Sequence, residues 1–139
     1  KYASCEKAHQ LFYDYVKFIL TRTNRYTKKK YKDDPAIMSW QIGNEPRAFS
    51  KEQLPAFEKW LGEASKLIRS LDKNHLISIG SEGKFGCEGE LNCWERICAD
   101  KNVDYCNIHL WPYRTSGCFE VRLYSTLFVV YLFLLYLFT

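Results

Sequence analysis

Three groups of chemically capable side chains stand out, and each closes an apolar run. Gly43-Asn44-Glu45-Pro46-Arg47 follows the run 36–42, Gly80-Ser81-Glu82-Gly83 follows 76–79, and His109-Leu110-Trp111-Pro112 ends 103–110. A carboxylic acid at the C-terminal tip of a buried strand can trade a proton with a bound substrate, and parallel barrels carry their catalytic groups there. Asn44 adds an amide able to hydrogen-bond a hydroxyl, and Pro46 stops the strand and stiffens the turn. One acid is only half of a hydrolytic site, so the position of a second one decides the chemistry. Each residue also has a structural alternative. Glu45 can be a strand-end carboxylate paired with Arg47, Glu82 a loop acid at a helix start, and His109 a satisfied core histidine. Trp111 can be simple packing, although rim aromatics suit the faces of sugars.

The elements that position these groups follow from periodicity. Ala8, Leu11, Phe12, Tyr15, Val16, Ile19 and Leu20 recur at helical spacing and predict an amphipathic helix over 5–27. Leu54, Phe57, Trp60, Leu61, Ala64, Leu67, Ile68 and Leu71 form a second helical stripe, and Ser50 with Gln53 resembles a capping box before it. Strands are expected at 36–42, 76–79 and 103–110, with a short helix at 93–100. The order helix, strand, helix, strand, helix, strand has a βαβ rhythm. It predicts an α/β fold with a parallel sheet, right-handed crossovers and the three polar clusters on one rim. A doubly wound sheet also places ligands at strand C-termini, but Gly80-Ser81-Glu82-Gly83 lacks the spacing of a phosphate-binding fingerprint.

The 139 residues are 47% apolar and 17% aromatic, enough to bury a core. The net charge of +4 comes largely from Lys28, Lys29, Lys30 and Lys32 beside Arg22 and Arg25. We read that cluster as the solvated end of the first helix, where cations suit the dipole, and expect no nucleic-acid partner. Six cysteines show no CxxC pair and no histidine at ligand spacing, so no metal site or cofactor is expected. Cys87 and Cys93 can form a loop disulfide in an oxidising compartment, whereas Cys106, inside an apolar run, reads as a buried small hydrophobe. Residues 123–139 carry no charge, Gly or Pro, and their unbroken apolar part, 127–138, has 12 residues. That is short of the ~20 residues of a membrane-spanning helix. No membrane partner is expected, and 114–139 reads as an aberrant hydrophobic tail unrelated to the preceding domain and prone to aggregation.

The segment Asp33-Asp34-Pro35-Ala36-Ile37-Met38-Ser39-Trp40-Gln41-Ile42-Gly43-Asn44-Glu45-Pro46-Arg47 resembles the fourth-strand signature of glycoside hydrolase family 5, and within it the endo-β-1,4-mannanases. Ile79-Gly80-Ser81-Glu82-Gly83 and Asn107-Ile108-His109-Leu110-Trp111-Pro112 resemble the ends of the fifth and sixth strands of those enzymes. The resemblance covers about residues 1–113. It implies an incomplete segment of a (β/α)8 TIM barrel, from the third helix through the sixth strand. It also implies retaining hydrolysis of internal β-1,4-mannosidic bonds by the complete parent enzyme, outside the cell or in the periplasm, although no signal peptide is seen at Lys1. By resemblance Glu45 is the general acid/base and Asn44 bonds the sugar 2-hydroxyl. Arg47 and Glu82 line the leaving-group side, and His109 and Trp111 lie near the nucleophile. The family nucleophile is a second glutamate at the end of the seventh strand. No such strand follows Trp111-Pro112, and Glu120 is not in a strand-tip context, so the chain alone is expected to be inactive. An inert or carbohydrate-binding barrel fragment, or a β-glucanase of the same family, is the alternative.

Overall fold

The structure, a computed structural model, describes residues 4–109. Helix α1 spans Glu6–Thr21, strand β1 Ser39–Gln41, helix α2 Leu54–Leu71, strand β2 Leu76–Ser78 and helix α3 Leu91–Cys98. The strands pair in parallel, with Trp40 opposite Ile77 and α2 as the intervening crossover. One further parallel bridge joins Ser78 to Tyr105. The result is the expected α/β arrangement, with the ends of three segments side by side.

The core gathers where the stripe of α2 meets the sheet. Phe57, Leu61, Ala64 and Ile68 are buried together with Val16 and Leu20 of α1, Ile42, Ile77 and Ile79 of the sheet, and Cys93 and Ile97 of α3. At ~25 cal/mol per Å2 of apolar surface removed from water, each buried Val, Leu, Ile or Phe side chain of this set contributes on the order of 1.5–3 kcal/mol. The α1 stripe is narrower than its spacing suggests: Leu11 and Tyr15 are exposed.

Several expected boundaries shift. Helix α1 stops at Thr21, well short of residue 27, because Asn24 offers the backbone a competing turn. Its Oδ1 accepts the N–H groups of Tyr26 at 2.8 Å and Thr27 at 3.2 Å, and Thr23 pairs antiparallel with Lys30. The basic cluster therefore lies in a hairpin turn, and the last turn of α1 carries no basic residue. Ser50 makes no side-chain cap, so the capping box is not formed; Pro55 in the first turn of α2 marks the helix start instead. Residues 103–109 form no regular strand, only the single bridge at Tyr105. The Asp104 carboxylate replaces a backbone carbonyl in accepting the Ile77 N–H at 2.7 Å, while Asp104 N–H donates to the Ile77 carbonyl at 2.9 Å.

Two disulfides staple the region after β2. Cys87–Cys93 joins the 3-10 turn Lys84–Cys87 to α3, as the sequence suggests. Cys98–Cys106 ties the end of α3 to the segment 103–109, so Cys106 is a bridging residue and not a buried free thiol. The eight-residue separation carries no local pattern that would have announced this pairing.

Candidate active site

The register of β1 against β2 continues past the strand ends. Ile42 N–H donates to Ser78 O at 3.0 Å, Gly43 N–H to Ile79 O at 3.3 Å, and Glu45 N–H to Gly80 O at 2.9 Å. The chain thus carries Glu45 to the tip of the sheet before Pro46 turns it away. Two glycines make this approach possible. A Cβ on Gly80, whose φ is +76°, would sit 1.8 Å from the Gly43 carbonyl oxygen, and one on Gly86 would sit 2.7 Å from that of Pro46. Glu45 itself has φ 50°, a left-handed conformation that costs a non-glycine residue about 1–3 kcal/mol and concentrates at functional sites.

The side chain of Glu45 meets His109, whose Nδ1 lies 2.8 Å from Oε1. Both side chains are about a quarter exposed, at 27% and 28%, so the pair is ordered yet reachable. Beside them Arg47 grips Glu82. Its terminal NH2 group donates to Oε2 at 2.7 Å, and Nε lies 2.5 Å from Oε1 as an ion contact. Glu82 is 9% exposed and Arg47 44% exposed, so the guanidinium rather than water compensates the carboxylate. Asn44 sits exposed on the same turn. Glu45, Arg47, Glu82 and His109 are therefore brought to one rim, as expected from their strand-tip positions. The pairing is different from the simple Glu45–Arg47 bridge: Arg47 holds Glu82, and Glu45 holds His109. Trp111 lies outside the described residues.

The loop behind Glu82 is closed by its own hydrogen bonds. Ser81 Oγ accepts Gly83 N–H at 3.0 Å and donates to Gly83 O at 3.2 Å. Two surface pockets of the described residues lie elsewhere, one between α2 and α3 around Gly62 and Ile97, the other at the opposite end of the strands around Pro35 and His75. Neither is lined by Glu45, Arg47, Glu82 or His109. No group of three or more His, Cys, Asp or Glu residues among the described residues is arranged to hold a metal ion.

At the opposite end of the strands sits a buried cluster that periodicity missed. Asp72 Oδ2 accepts from Trp40 Nε1 at 2.6 Å and faces His75 Nδ1 at 2.6 Å. Asp72 Oδ1 accepts the N–H groups of Asn74 at 2.8 Å and His75 at 3.1 Å, and His75 Nε2 lies 2.9 Å from the Asp34 carbonyl oxygen. Burial pushes the Asp72 carboxyl up, but these donors outweigh it and hold it below its ordinary value. Burial pushes His75 down, but the Asp72 carboxylate and the Asp34 carbonyl outweigh that and raise it. The Asp-x-x-His spacing after a helix end was the available signal.

The strand tips thus bring together a carboxyl–imidazole pair, Glu45–His109, and an ion pair, Arg47–Glu82. Comparison with known proteins gives the family of the chain. The family model described as GH family 5 beta-mannosidase-like matches residues 1–126. Mannan endo-1,4-beta-mannosidase 4 of Solanum lycopersicum is 48% identical over 106 residues, covering 70% of this chain and 27% of that protein. Mannan endo-1,4-beta-mannosidase 2 of Oryza sativa subsp. japonica is 32% identical over 114 residues, covering 70% of this chain and 26% of that protein. The crystal structure of an endo-1,4-beta-mannanase from Rhizomucor miehei superposes with a TM-score of 0.69 at 31% identity, over 81% of this chain and 36% of the other. The chain spans about a quarter of the length of these curated relatives. It belongs to the β-mannosidase-like branch of glycoside hydrolase family 5.

Proposed function

We propose that the protein carrying this segment hydrolyses internal β-1,4-mannosidic bonds of mannan-type polysaccharides with retention of configuration. The segment corresponds in this reading to the third helix through the sixth strand of a (β/α)8 barrel, and the nucleophile is a second glutamate at the end of the seventh strand. Glu45 protonates the glycosidic oxygen as the nucleophile, its carboxyl ~5–5.5 Å from that of Glu45, attacks the anomeric carbon and forms the covalent glycosyl-enzyme. It then takes a proton from the water that releases the covalent sugar, which returns Glu45 to its starting state. Asn44 bonds the 2-hydroxyl, Arg47 and Glu82 face the leaving-group sugar, and His109 and Trp111 flank the nucleophile. This chemistry needs no metal or cofactor.

The observation that carries the reading is the placement of Glu45 at the sheet tip, hydrogen-bonded to His109 at 2.8 Å and beside the Arg47–Glu82 pair. The disulfides Cys87–Cys93 and Cys98–Cys106 support action in an extracellular or periplasmic setting. Proton NMR of the first product released from β-1,4-mannan tests the proposal. A β-anomer that mutarotates later is expected; an α-anomer first, or no release from mannan, would reject it.

A further inference from the structure

Asn107 precedes His109 by two residues, and the side chains of both reach the neighbouring strand ends, Asn107 to Gly80 and His109 to Glu45. Asn107 Oδ1 accepts the Gly80 N–H at 3.3 Å and the hydroxyl of buried Ser78. The Gly80 amide can only donate, which turns the side-chain oxygen of Asn107, not its NH2, toward β2. Ser78 Oγ shares that same amide at 3.3 Å. The peptide unit entering Gly80 is thereby anchored from its N–H side, while the Gly80 carbonyl receives the Glu45 N–H at 2.9 Å.

Glu45 occupies a left-handed conformation immediately before a proline, and such strain persists only where the surroundings over-determine it. Two supports are visible. Gly80 holds the backbone and His109 holds the carboxylate. Both trace to the segment 103–109: His109 directly, and Gly80 through Asn107. We propose that Asn107 is a positioning residue for Glu45, orienting the Gly80 peptide and so fixing the backbone from which the carboxyl reaches substrate. The proposal rests on Glu45 being the acid/base of the preceding section. Asn107 itself touches no reacting atom.

The test compares Asn107→Leu, which keeps the volume without an acceptor, with Asn107→Asp, which keeps an acceptor oxygen, in the complete enzyme that carries this segment. Small misplacements of a catalytic group cost up to about a hundredfold in rate. The Leu variant is expected to lose about tenfold to a hundredfold in kcat on β-1,4-mannan with little change in KM, and the Asp variant to recover most of it. Native-state amide exchange supplies a readout independent of turnover. In the Leu variant the Glu45 amide is expected to exchange at least about tenfold faster while the core amides of α2 keep their protection. Parental kcat in the Leu variant, equal losses in both variants, unchanged Glu45 exchange, or a uniform rise that includes α2 would each overturn the proposal. If the parent enzyme does not cleave mannan, the acid/base reading fails, and the exchange comparison still decides whether Asn107 holds Glu45.

Discussion

Glu45 Oε1 stands 2.8 Å from Nδ1 of His109, a residue 64 positions later in the chain. The contact spans the gap between the strand-tip turn after β1 and the segment that follows α3. Which of the two atoms donates follows from the tautomer of the ring. In either arrangement the contact holds the carboxyl in one direction, as the proposed acid/base role requires.

The Arg47–Glu82 pair is asymmetric, and that asymmetry is measurable. Glu82 is 9% exposed while Arg47 is 44% exposed. Removing the cation strands a buried carboxylate, whereas removing the acid leaves a guanidinium that water can solvate. Arg47→Ala is expected to destabilise the fold by about 1–3 kcal/mol and Glu82→Ala by less, with the double variant recovering part of the Arg47 loss. Urea midpoints of the four proteins check this. On the catalytic side, if the pair faces the leaving-group sugar as proposed, both single variants should slow cleavage of oligosaccharides more than of an aryl glycoside. Equal losses on the two substrates would place the pair elsewhere.

Gly80→Ala tests the close approach that brings Glu45 to the rim. The new methyl would fall 1.8 Å from the Gly43 carbonyl oxygen at a φ of +76°. Strain and collision act together, so a loss of about 3 kcal/mol or more is expected, beyond the ordinary range for a point substitution. A denaturation midpoint within error of the parent would show that the sheet tip is looser than this geometry.

Much of the candidate site could be read from the sequence because it follows a local rule. Glu45, Glu82 and His109 each end an apolar run, and parallel strands deliver such ends to one rim. What could not be read is pairing across distance. Nothing near Arg47 says that its partner is Glu82, 35 residues away, instead of its neighbour Glu45. The same limit hid Cys98–Cys106. Asn107 stands two residues before His109, but its target, the Gly80 amide, was not legible. The helix overrun from Thr21 to residue 27 has a different cause: the apolar stripe and the Asn24 turn compete, and the side-chain hydrogen bonds of Asn24 win. The strand expected at 103–110 is reduced because one carboxylate, Asp104, takes a backbone acceptor's place.

The buried Asp72–His75 pair predicts a two-sided pH dependence of stability. The folded state raises His75 above 6.5, so its contribution is fully present below 6.5 and is lost as pH rises through the folded value. The folded state lowers Asp72 below 3.8, so its contribution is present above 3.8 and is lost as pH falls through the folded value. Thermal midpoints across this range should therefore be highest between these limits and decline above 6.5. His75→Gln should lower the plateau and remove the alkaline decline. A decline of the same size in that variant would assign it to another group.

The most direct measurement is turnover of unactivated β-1,4-mannan by Glu45→Gln in the complete enzyme that carries this segment. Gln keeps the shape of the side chain but cannot supply the proton, and acid–base catalysis contributes about 10²–10⁴-fold. The account predicts a fall in kcat of that size, with affinity for mannan oligosaccharides little changed and the thermal midpoint close to the parent's. Parental turnover of mannan by the folded Gln variant would contradict it.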